Sequence, residues 1–402
     1  MFQLQVLFYK FLMLINRFLI AVLPENKPTL FSGAGSSLQL TQAMAQLGAK
    51  KVLLVTDKIL NELGLIKPIA DSLEQEGVNV VIFDGVEPDP SFGVVEAGLE
   101  MLKQNDCDSV LAVGGGSSID AAKVMALAAN NDKTPKQLEG KLKARNQAIP
   151  LFAIPTTAGT GSEVTVAAVI TDKEEDQKRV VIDPKLVPIA AALDPELMKG
   201  MPAPITAATG MDALTHAVEA YISKFAAPKT DAYAVAAIRL IIKNLTASYD
   251  DGSNLKAREG MAKASFYAGL AFTKAFVGYV HAIAHQFGAK YHTPHGLANA
   301  IALPHILEFS KPAVAHRLAQ LAIECELGDR SESDWVLAGK FIDKVWEISE
   351  HMGVPKSLDA LKSEDIPLIT KGALAEAHYT FPVPRYMDRQ QCEAILMKML
   401  PS

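Results

Sequence analysis

Short apolar runs that alternate with longer helical segments are the feature that most constrains the fold of this chain. Five such runs are present, at 29–32, 51–56, 78–83, 109–113 and 150–154. Segments with helical spacing separate them, at 37–47, 59–75 and 92–105. Unbroken aliphatic runs such as KVLLVT are typical of parallel strands that are covered on both faces. The pattern therefore predicts an open, doubly wound, Rossmann-like α/β domain with right-handed crossovers.

The composition and the hydrophobic pattern of the sequence change near Ala203. Before it, Val164–Thr171 and Arg179–Ile182 predict β structure, with a charged turn at Asp172–Gln177 between them. After it, Ala, Leu, Lys and Glu dominate in helical patterns, and strand-like runs nearly vanish. We therefore expect three parts: an apolar, helical extension at 1–27, an α/β domain at 28–203 and an all-α domain at 204–402.

Charge and cysteine content exclude several functions. The formal charge of −6 on 402 residues gives no electrostatic footprint for nucleic acid, so we expect no nucleic-acid partner. Cys107, Cys325 and Cys392 are odd in number and far apart, which predicts neither a disulfide framework nor a cysteine-based zinc site. A reducing, cytoplasmic location fits this pattern best.

The segment Phe2–Leu23 is strongly apolar and needs its own explanation. Its polar interruptions Gln3, Lys10 and Arg17 are seven residues apart and form one narrow stripe on a helix. A charge near the middle disfavours a membrane-spanning helix, and no small-residue cleavage site follows the segment. We favour a helix packed on its own chain or on a partner chain. The alternatives are a helix on a membrane surface, which leaves peripheral membrane contact through residues 2–23 open, and, last, an uncleaved signal-anchor.

Two loops with small and hydroxyl-bearing residues follow two of the predicted strands. The first, GGGSSIDAAK, begins a helix after the 109–113 run, and the second, PTTAGTGSE, follows the 150–154 run. Glycines let a phosphate approach the backbone, and the N–H groups at a helix start attract anions. Taken singly, each loop is also explained as a tight turn or a helix cap. Together they predict a nucleotide site with candidate residues Gly115, Gly116, Ser117, Asp120, Thr156, Thr157 and Thr160.

Asp57 stands at the carboxyl end of the 51–56 run. A carboxylate at this place accepts hydrogen bonds from a ribose diol and repels a 2′-phosphate, which favours NAD over NADP. The equally good alternative is an N-cap for the helix that follows.

Histidines concentrate in one stretch of the predicted helical domain. Four of the nine lie between 281 and 295, at His281, His285, His292 and His295. A second segment supplies Asp212 and His216, which share a helix face at i, i+4. One carboxylate with imidazoles suits a borderline divalent ion such as Fe²⁺ or Zn²⁺. These residues predict a metal site, although spacing alone does not choose among the four histidines of the stretch.

Four motifs, in this order, resemble those of the iron-containing (group III) alcohol dehydrogenases. They are GGGSSIDAAK, PTTAGTGSEVT, GMDALTHAVEAY and GYVHAIAHQFGAKYHTPHG, and the resemblance runs from about Pro28 onward. It implies the dehydroquinate synthase-like architecture of that family: a dinucleotide-binding α/β domain, a helical metal-binding domain, a cleft between them and usually a homodimer.

The resemblance also implies roles for individual residues. The metal ligands would be Asp212, His216, His281 and His295. His285 matches a non-ligand histidine near the nicotinamide, and we expect it to orient the substrate or relay its proton; the alternative is a partner that only supports a ligand. Further cofactor contacts would come from Asp57, Asp89, Gly116, Ser117, Thr156, Thr157, Thr165, Lys178, Leu197, Gly200 and Met201. Asp89 departs from the family, since many members have Asn there.

The expected activity follows from these assignments. The metal, Fe²⁺ or Zn²⁺, would act as a Lewis acid on the oxygen of a primary alcohol or aldehyde while hydride passes to or from NAD(H). The alternatives of the same architecture are a hydroxyacid–oxoacid transhydrogenase and a glycerol dehydrogenase-like enzyme. A non-enzymatic scaffolding or membrane protein would leave the Asp and His set without a purpose.

Overall fold

The structure of this chain, a computed structural model, describes residues 2–22, 24–175 and 177–401. The first helix, α1 (Phe2–Val22), belongs with the residues from Met201 onward, and Pro24–Gly200 form a separate unit. The boundary between the two units therefore lies at Gly200, three residues before the change of composition at Ala203. α1, which was expected as part of a separate extension at 1–27, is grouped with the helical unit.

The unit at Pro24–Gly200 is built on a six-stranded sheet. Its strands and those of a smaller sheet are β1 (Thr29–Ser32), β2 (Lys51–Asp57), β3 (Asn79–Val86), β4 (Ser109–Gly114), β5 (Gly140–Lys141), β6 (Leu151–Pro155), β7 (Ala167–Asp172), β8 (Gln177–Ile182) and β9 (Ala190–Leu193). The large sheet has the order β1-β9-β6-β4-β2-β3, and its neighbouring strands pair in parallel. The predicted α/β fold is confirmed.

The helices of this unit are α2 (Ser36–Gln46), α3 (Lys58–Glu62), α4 (Lys67–Gln75), α5 (Phe92–Gln104) and α6 (Gly116–Ala129). Alternate residues of β2 enter two different cores, with Leu53 in one and Leu54 in the other. Both faces of the sheet are therefore covered, which explains the unbroken aliphatic runs. The single helix expected over 59–75 is two helices, because Gly64 adopts φ 74° between them.

The order of the strands creates a switch point next to β2. The chain passes from β2 outward to β3, then returns to place β4 on the other side of β2. Ligands of open α/β sheets bind beyond the carboxyl ends of strands at such a point. Asp57 ends β2, Gly114 ends β4 and Pro155 ends β6, and these three strands are neighbours.

The second unit is helical in its described residues. After α1 it contains α7 (Ala203–Ile222), α8 (Pro228–Asp250), α9 (Leu255–Ala275), α10 (Tyr279–Tyr291), α11 (His295–Glu324), α12 (Asp334–His351), α13 (Ile366–Thr380) and α14 (Arg389–Met397). The predicted all-α domain is confirmed. α11 runs to Glu324, although Val314 interrupts its helical backbone geometry two residues after Pro312.

One face of α1 packs on the helical unit. Tyr9 and Met13 are buried, and the Tyr9 ring lies 4.9 Å from the ring of His378 and 5.7 Å from that of Tyr386, measured between centroids. This confirms the favoured interpretation of a helix packed on its own chain. Within the described ranges, no helix is long and apolar enough to span a bilayer.

Candidate metal centre and cofactor loops

Helix α7 presents three polar side chains on one buried face. Asp212, His216 and Glu219 follow one another at i, i+4 and i+7, and all three are buried among the Ala-rich turns of α7. Buried polar groups need partners, so this face predicts a ligand or further polar residues opposite it.

Helices α10 and α11 supply the opposing imidazoles from their first turns. Around Oδ1 of Asp212, the Nε2 atom of His216 lies at 3.9 Å, that of His281 at 3.7 Å and that of His295 at 3.5 Å. Ligand atoms of Asp212, His216 and His281 lie within 4.8 Å of one another and are buried. The side chain of His295 is 34% exposed, so it is more accessible than the other three side chains of the cluster.

These distances fit a divalent metal. Metal–nitrogen and metal–oxygen bonds of about 2.1 Å in a tetrahedron separate the ligand atoms by about 3.4 Å. The Nδ2 group of Asn299 shows that the cluster attracts a donor, since it lies 2.7 Å from Asp212 Oδ1, 3.3 Å from His281 Nε2 and 3.1 Å from His295 Nε2. Burial and the neighbouring imidazoles hold the pKa of His281 well below its usual range. A neutral imidazole has the free lone pair that a metal requires.

Glu219 orients His281 and was not singled out from the sequence. Its Oε2 lies 2.7 Å from Nδ1 of His281, and its carboxylate also accepts from the backbone N–H groups of Gly278 and Val280. Burial raises the pKa of Glu219, and the hydrogen bonds from Gly278, Val280 and His281 oppose this rise. A carboxylate on Nδ1 leaves Nε2 as the free acceptor of His281. The sequence signal that could have identified Glu219 is its position three residues after His216, on the same face of the helix.

Two glycines allow the helices to approach. A Cβ at Gly278 would lie 2.9 Å from Oε1 of Glu219, and a Cβ at Gly296 would lie 2.2 Å from the backbone oxygen of Ala208 on α7. The second contact is with backbone, which a side chain could not relieve by rotating. Gly296 therefore sets how near the start of α11, with His295, comes to α7.

His285 stands beside the cluster. Its Nδ1 lies 2.7 Å from Oε1 of Glu376, and its ring stacks on that of His295 at 5.4 Å between centroids. Its side chain is 38% exposed, so the ring is accessible to a small molecule. His292 is exposed and closes α10 in the left-handed region at φ 52°, apart from these partners.

In the other unit, the two hydroxyl- and glycine-rich loops meet. A Cβ at Gly116 would lie 2.7 Å from Cγ2 of Thr160, and one at Gly115 would lie 3.5 Å from Thr157. The N–H of buried Thr156 donates to the carbonyl of Gly114. The predicted nucleotide residues from β4 and β6 are therefore neighbours, as parallel pairing of these strands requires.

Asp57 caps the helix that follows it. Its Oδ1 accepts from the N–H of Leu60 at 2.9 Å, at the start of α3. The structure thus shows the N-cap geometry that we considered from sequence, at the strand end where a ribose-binding carboxylate is expected.

Asp120 and Thr165 take part in hydrogen bonds between α6 and the second loop with the residues that follow it. The carboxylate of Asp120 accepts from the hydroxyl of Ser162 and from the N–H of Val169 at 2.8 Å. The fully buried Lys123 donates to the hydroxyl and carbonyl of Thr165 at 2.9 and 3.0 Å. Burial lowers the pKa of Lys123 to about 8. Sequence reasoning placed Asp120 and Thr165 in cofactor contact; the structure shows hydrogen bonds that tie α6 to the loop.

Asp89, Lys178 and Ser117 form a more exposed group. The Lys178 ammonium lies 2.7 Å from Oδ1 of Asp89, and the Asp89 N–H donates to the Ser117 hydroxyl at 3.3 Å. Asp89 has φ 54°, a left-handed conformation in which Asp and Asn are enriched. The ion pair joins two residues that sequence analysis assigned separately.

Leu197, Gly200 and Met201 occupy different surroundings. Leu197 packs against the sheet core that contains Leu54, and Gly200 closes its unit with no atom near a would-be Cβ. The carbonyl of Met201 accepts from Arg258 in the helical unit. The described geometry gives these three residues no common site.

Two family profiles match nearly the whole chain. Residues 27–195 match the profile described as iron-containing alcohol dehydrogenase, and residues 206–400 match that of the C-terminal part of the Fe-containing alcohol dehydrogenase family. α1 lies outside both matches.

Characterised proteins agree with these profiles. The chain is 44% identical to a 1,3-propanediol dehydrogenase of Citrobacter freundii over 353 residues, covering 87% of this chain and 91% of the relative. It is 39% identical to an NAD-dependent methanol dehydrogenase of Bacillus methanolicus over 375 residues, covering 93% and 98%. A crystal structure of 1,3-propanediol oxidoreductase superposes with a TM-score of 0.90 at 41% identity, covering 94% of this chain and all of that one.

Proposed function

Because this chain belongs to the iron-containing alcohol dehydrogenase family, we propose that it transfers hydride between NAD(H) and a primary alcohol or its aldehyde. The observation that carries this proposal is the convergence of three imidazole Nε2 atoms, at 3.5–3.9 Å, on Oδ1 of Asp212. Such a donor set has no role in a scaffold, and it suits a metal-assisted reaction at an oxygen atom.

Asp212, His216, His281 and His295 would hold the metal. Fe²⁺ or Zn²⁺ in this position would polarise the substrate oxygen and lower the pKa of an alcohol, as metals do for bound water. Glu219 fixes the orientation of His281, and Asn299 supports the Asp212 carboxylate. The exposed side of His295 leaves room for a substrate to approach the cluster.

His285 is our candidate for handling the substrate proton. A carboxylate only accepts hydrogen bonds, so the 2.7 Å contact with Glu376 places the proton of a neutral imidazole on Nδ1. The Nε2 atom then carries the lone pair that accepts the hydroxyl proton or orients the substrate. Glu376 stabilises the imidazolium that forms when the proton is taken.

The cofactor would lie at the switch point of the parallel sheet. Gly115 and Gly116 allow a pyrophosphate to approach the first turn of α6, whose N–H groups favour negative charge. Asp57 would bind the adenosine ribose and repel a 2′-phosphate, which favours NAD over NADP. We assign Asp120, Lys123 and Thr165 to holding the second loop in place, because their polar atoms bond to one another and to that loop.

The relatives named above act, by their names, on methanol and on 1,3-propanediol. We propose that this enzyme also takes short primary alcohols, and that it functions as a homodimer. The test is a panel of primary alcohols and aldehydes, assayed by NADH absorbance on protein loaded with Fe²⁺ or Zn²⁺. We expect turnover that depends on added metal and on NAD⁺ rather than NADP⁺. Metal-loaded protein that reduces no aldehyde with NADH, or that exchanges hydride between substrates without added NAD, would overturn the proposal.

A further inference from the structure

The solvent-facing side of α1 is unusually apolar for a helix that already packs on its own chain. Six large side chains of this helix are more than half exposed, with values from 52% to 71%: Leu4, Leu7, Phe8, Phe11, Leu14 and Phe18. At about 100° per residue they fall within an arc of roughly 120°. Tyr9 and Met13, which are buried against the helical unit, lie on the opposite side. Because the face with Tyr9 and Met13 packs on the helical unit, the second apolar face points to solvent.

Basic residues border this second face. Lys10 and Arg17 are exposed and lie next to one edge of the apolar arc. Residues 2–22 contain no Asp or Glu, so this segment carries +2 in a chain whose formal charge is −6. The rest of the chain therefore carries −8 and would be repelled by an anionic surface, whereas α1 would be attracted to it.

We propose that α1 binds the surface of an anionic lipid bilayer through its exposed apolar face, with the helix axis in the membrane plane. Leu and Phe side chains would enter the boundary between headgroups and acyl chains, as interfacial helices do. Lys and Arg can lay their aliphatic stems along the apolar surface and place their charges among lipid phosphates. The contact requires neither the metal nor the cofactor, so it is independent of the proposed reaction.

Charge decides between a lipid surface and a second copy of this chain. Two α1 helices that paired through this face would bring two Lys10 and two Arg17 side chains towards one seam. Neither helix has a carboxylate to neutralise them, and like charges along a helix seam oppose pairing. Anionic headgroups supply the missing negative charge.

The experiment is co-sedimentation of the full chain with vesicles. One set contains phosphatidylcholine with about one third phosphatidylglycerol, and the other contains phosphatidylcholine alone. We expect the chain to bind the anionic vesicles at physiological salt. The Phe11→Ser/Phe18→Ser variant should lose binding by at least about tenfold, because two large apolar groups no longer enter the bilayer. The Lys10→Gln/Arg17→Gln variant should lose about ten- to thirtyfold on anionic vesicles only.

The matched control is Leu47→Ser/Leu63→Ser, which removes two equally exposed apolar side chains outside α1, at 66% and 68% exposure. It should bind as the unchanged chain does. Light scattering and thermal unfolding of each variant show whether its mass and fold are unchanged. Failure of the unchanged chain to bind anionic vesicles overturns the proposal, as does equal binding by the Phe11→Ser/Phe18→Ser variant. If the parent does not bind vesicles and the Phe11→Ser/Phe18→Ser variant has a lower mass in solution than the parent, a second copy of the chain covers this face of α1.

Discussion

The Nδ1 atom of His281 lies 2.7 Å from Oε2 of Glu219, and the Nε2 atom of the same ring lies 3.7 Å from Oδ1 of Asp212. One helix, α7, thus supplies a carboxylate to each nitrogen of a histidine on α10. Glu219 determines which nitrogen carries the proton, and the other nitrogen is left to the proposed metal. The proposed metal centre therefore depends on Glu219, a buried residue of α7 that would not itself be a ligand.

We expect Glu219→Gln to weaken metal binding by about 10- to 100-fold. The amide has the shape of the carboxyl group, but it presents an NH₂ group to a site where all three partners are N–H donors. The measurement is competition for the metal against a chelator of known affinity. Glu163→Gln is the control, because it neutralises another buried carboxyl in the other unit. Equal metal affinity in Glu219→Gln and the parent would contradict the role of Glu219.

His281 and His285 should separate metal binding from proton handling. His281→Ala should abolish metal binding and turnover together, since it removes a proposed ligand. His285→Ala should retain the metal and lose about 100-fold or more in kcat, since general acid–base catalysis contributes about that much. Metal content by elemental analysis and steady-state rates are measured on the same preparations. Retained metal in His281→Ala, or lost metal in His285→Ala, would reverse these assignments.

Gly296→Ala tests whether the approach of α11 to α7 positions His295. The added methyl group would lie 2.2 Å from the carbonyl oxygen of Ala208, so one helix has to move. We expect a loss of about 1–3 kcal/mol in the free energy of unfolding and weaker metal binding. The control is Gly288→Ala on α10, where the nearest atom is at an ordinary 3.8 Å. Thermal unfolding and metal competition check both variants; similar behaviour of the two would refute the explanation.

Asp89→Asn should strengthen cofactor binding. The change removes the carboxylate that holds the Lys178 ammonium at 2.7 Å, so that Lys178 becomes available to a cofactor phosphate. Both side chains are substantially exposed, which limits the expected gain to about two- to fivefold in Kd for NADH. Fluorescence titration with NADH gives the value. The control Asp71→Asn removes the partner of Lys67 on α4 and should leave the Kd unchanged; weaker binding by Asp89→Asn would contradict the prediction.

Glu163 should make the stability of the α/β unit depend on pH. Burial raises its pKa from 4.5 to about 7, so the folded state retains a proton that the unfolded chain releases in this range. The stabilising contribution is complete below pH 4.5 and is lost as the pH rises through about 7. Relative to Glu163→Gln, the parent should lose up to about 3 kcal/mol between these limits.

Hydrogen exchange of the β4 and β6 amides measures this difference, because it reports opening of the unit that contains Glu163. Glu62→Gln removes an exposed carboxylate from the same unit and should change the stability by less than about 0.5 kcal/mol. A parent that becomes more stable relative to Glu163→Gln as the pH rises would show the opposite sign and would exclude the buried carboxyl as the source of the difference.

The parallel strands and the histidine cluster were accessible from sequence because local patterns encode them. A strand covered on both faces is aliphatic throughout, as 51–56 is, and an i, i+4 pair such as Asp212 and His216 marks one helix face. β9 was missed because Ala190–Leu193 is mostly alanine, which has little preference for strands. Its place between β1 and β6 is determined by tertiary packing.

Partners that are distant in sequence could not be predicted. Nothing near Glu376 indicates that it meets His285, and Lys123 gives no local sign that it meets Thr165, since each contact depends on how separate elements pack. The N-cap of Asp57 was foreseen because it is local. The grouping of α1 with the helical unit was not, because its contacts lie beyond Gly200.

The packing of Tyr9 against His378 also has a consequence for biosynthesis. The two residues are separated by about 370 positions, so α1 leaves the ribosome long before α13 is translated. At typical rates of synthesis this interval is on the order of tens of seconds. During it, the face with Tyr9 and Met13 lacks the folded neighbours that bury it, so α1 is apolar and exposed on both sides until the helical unit forms.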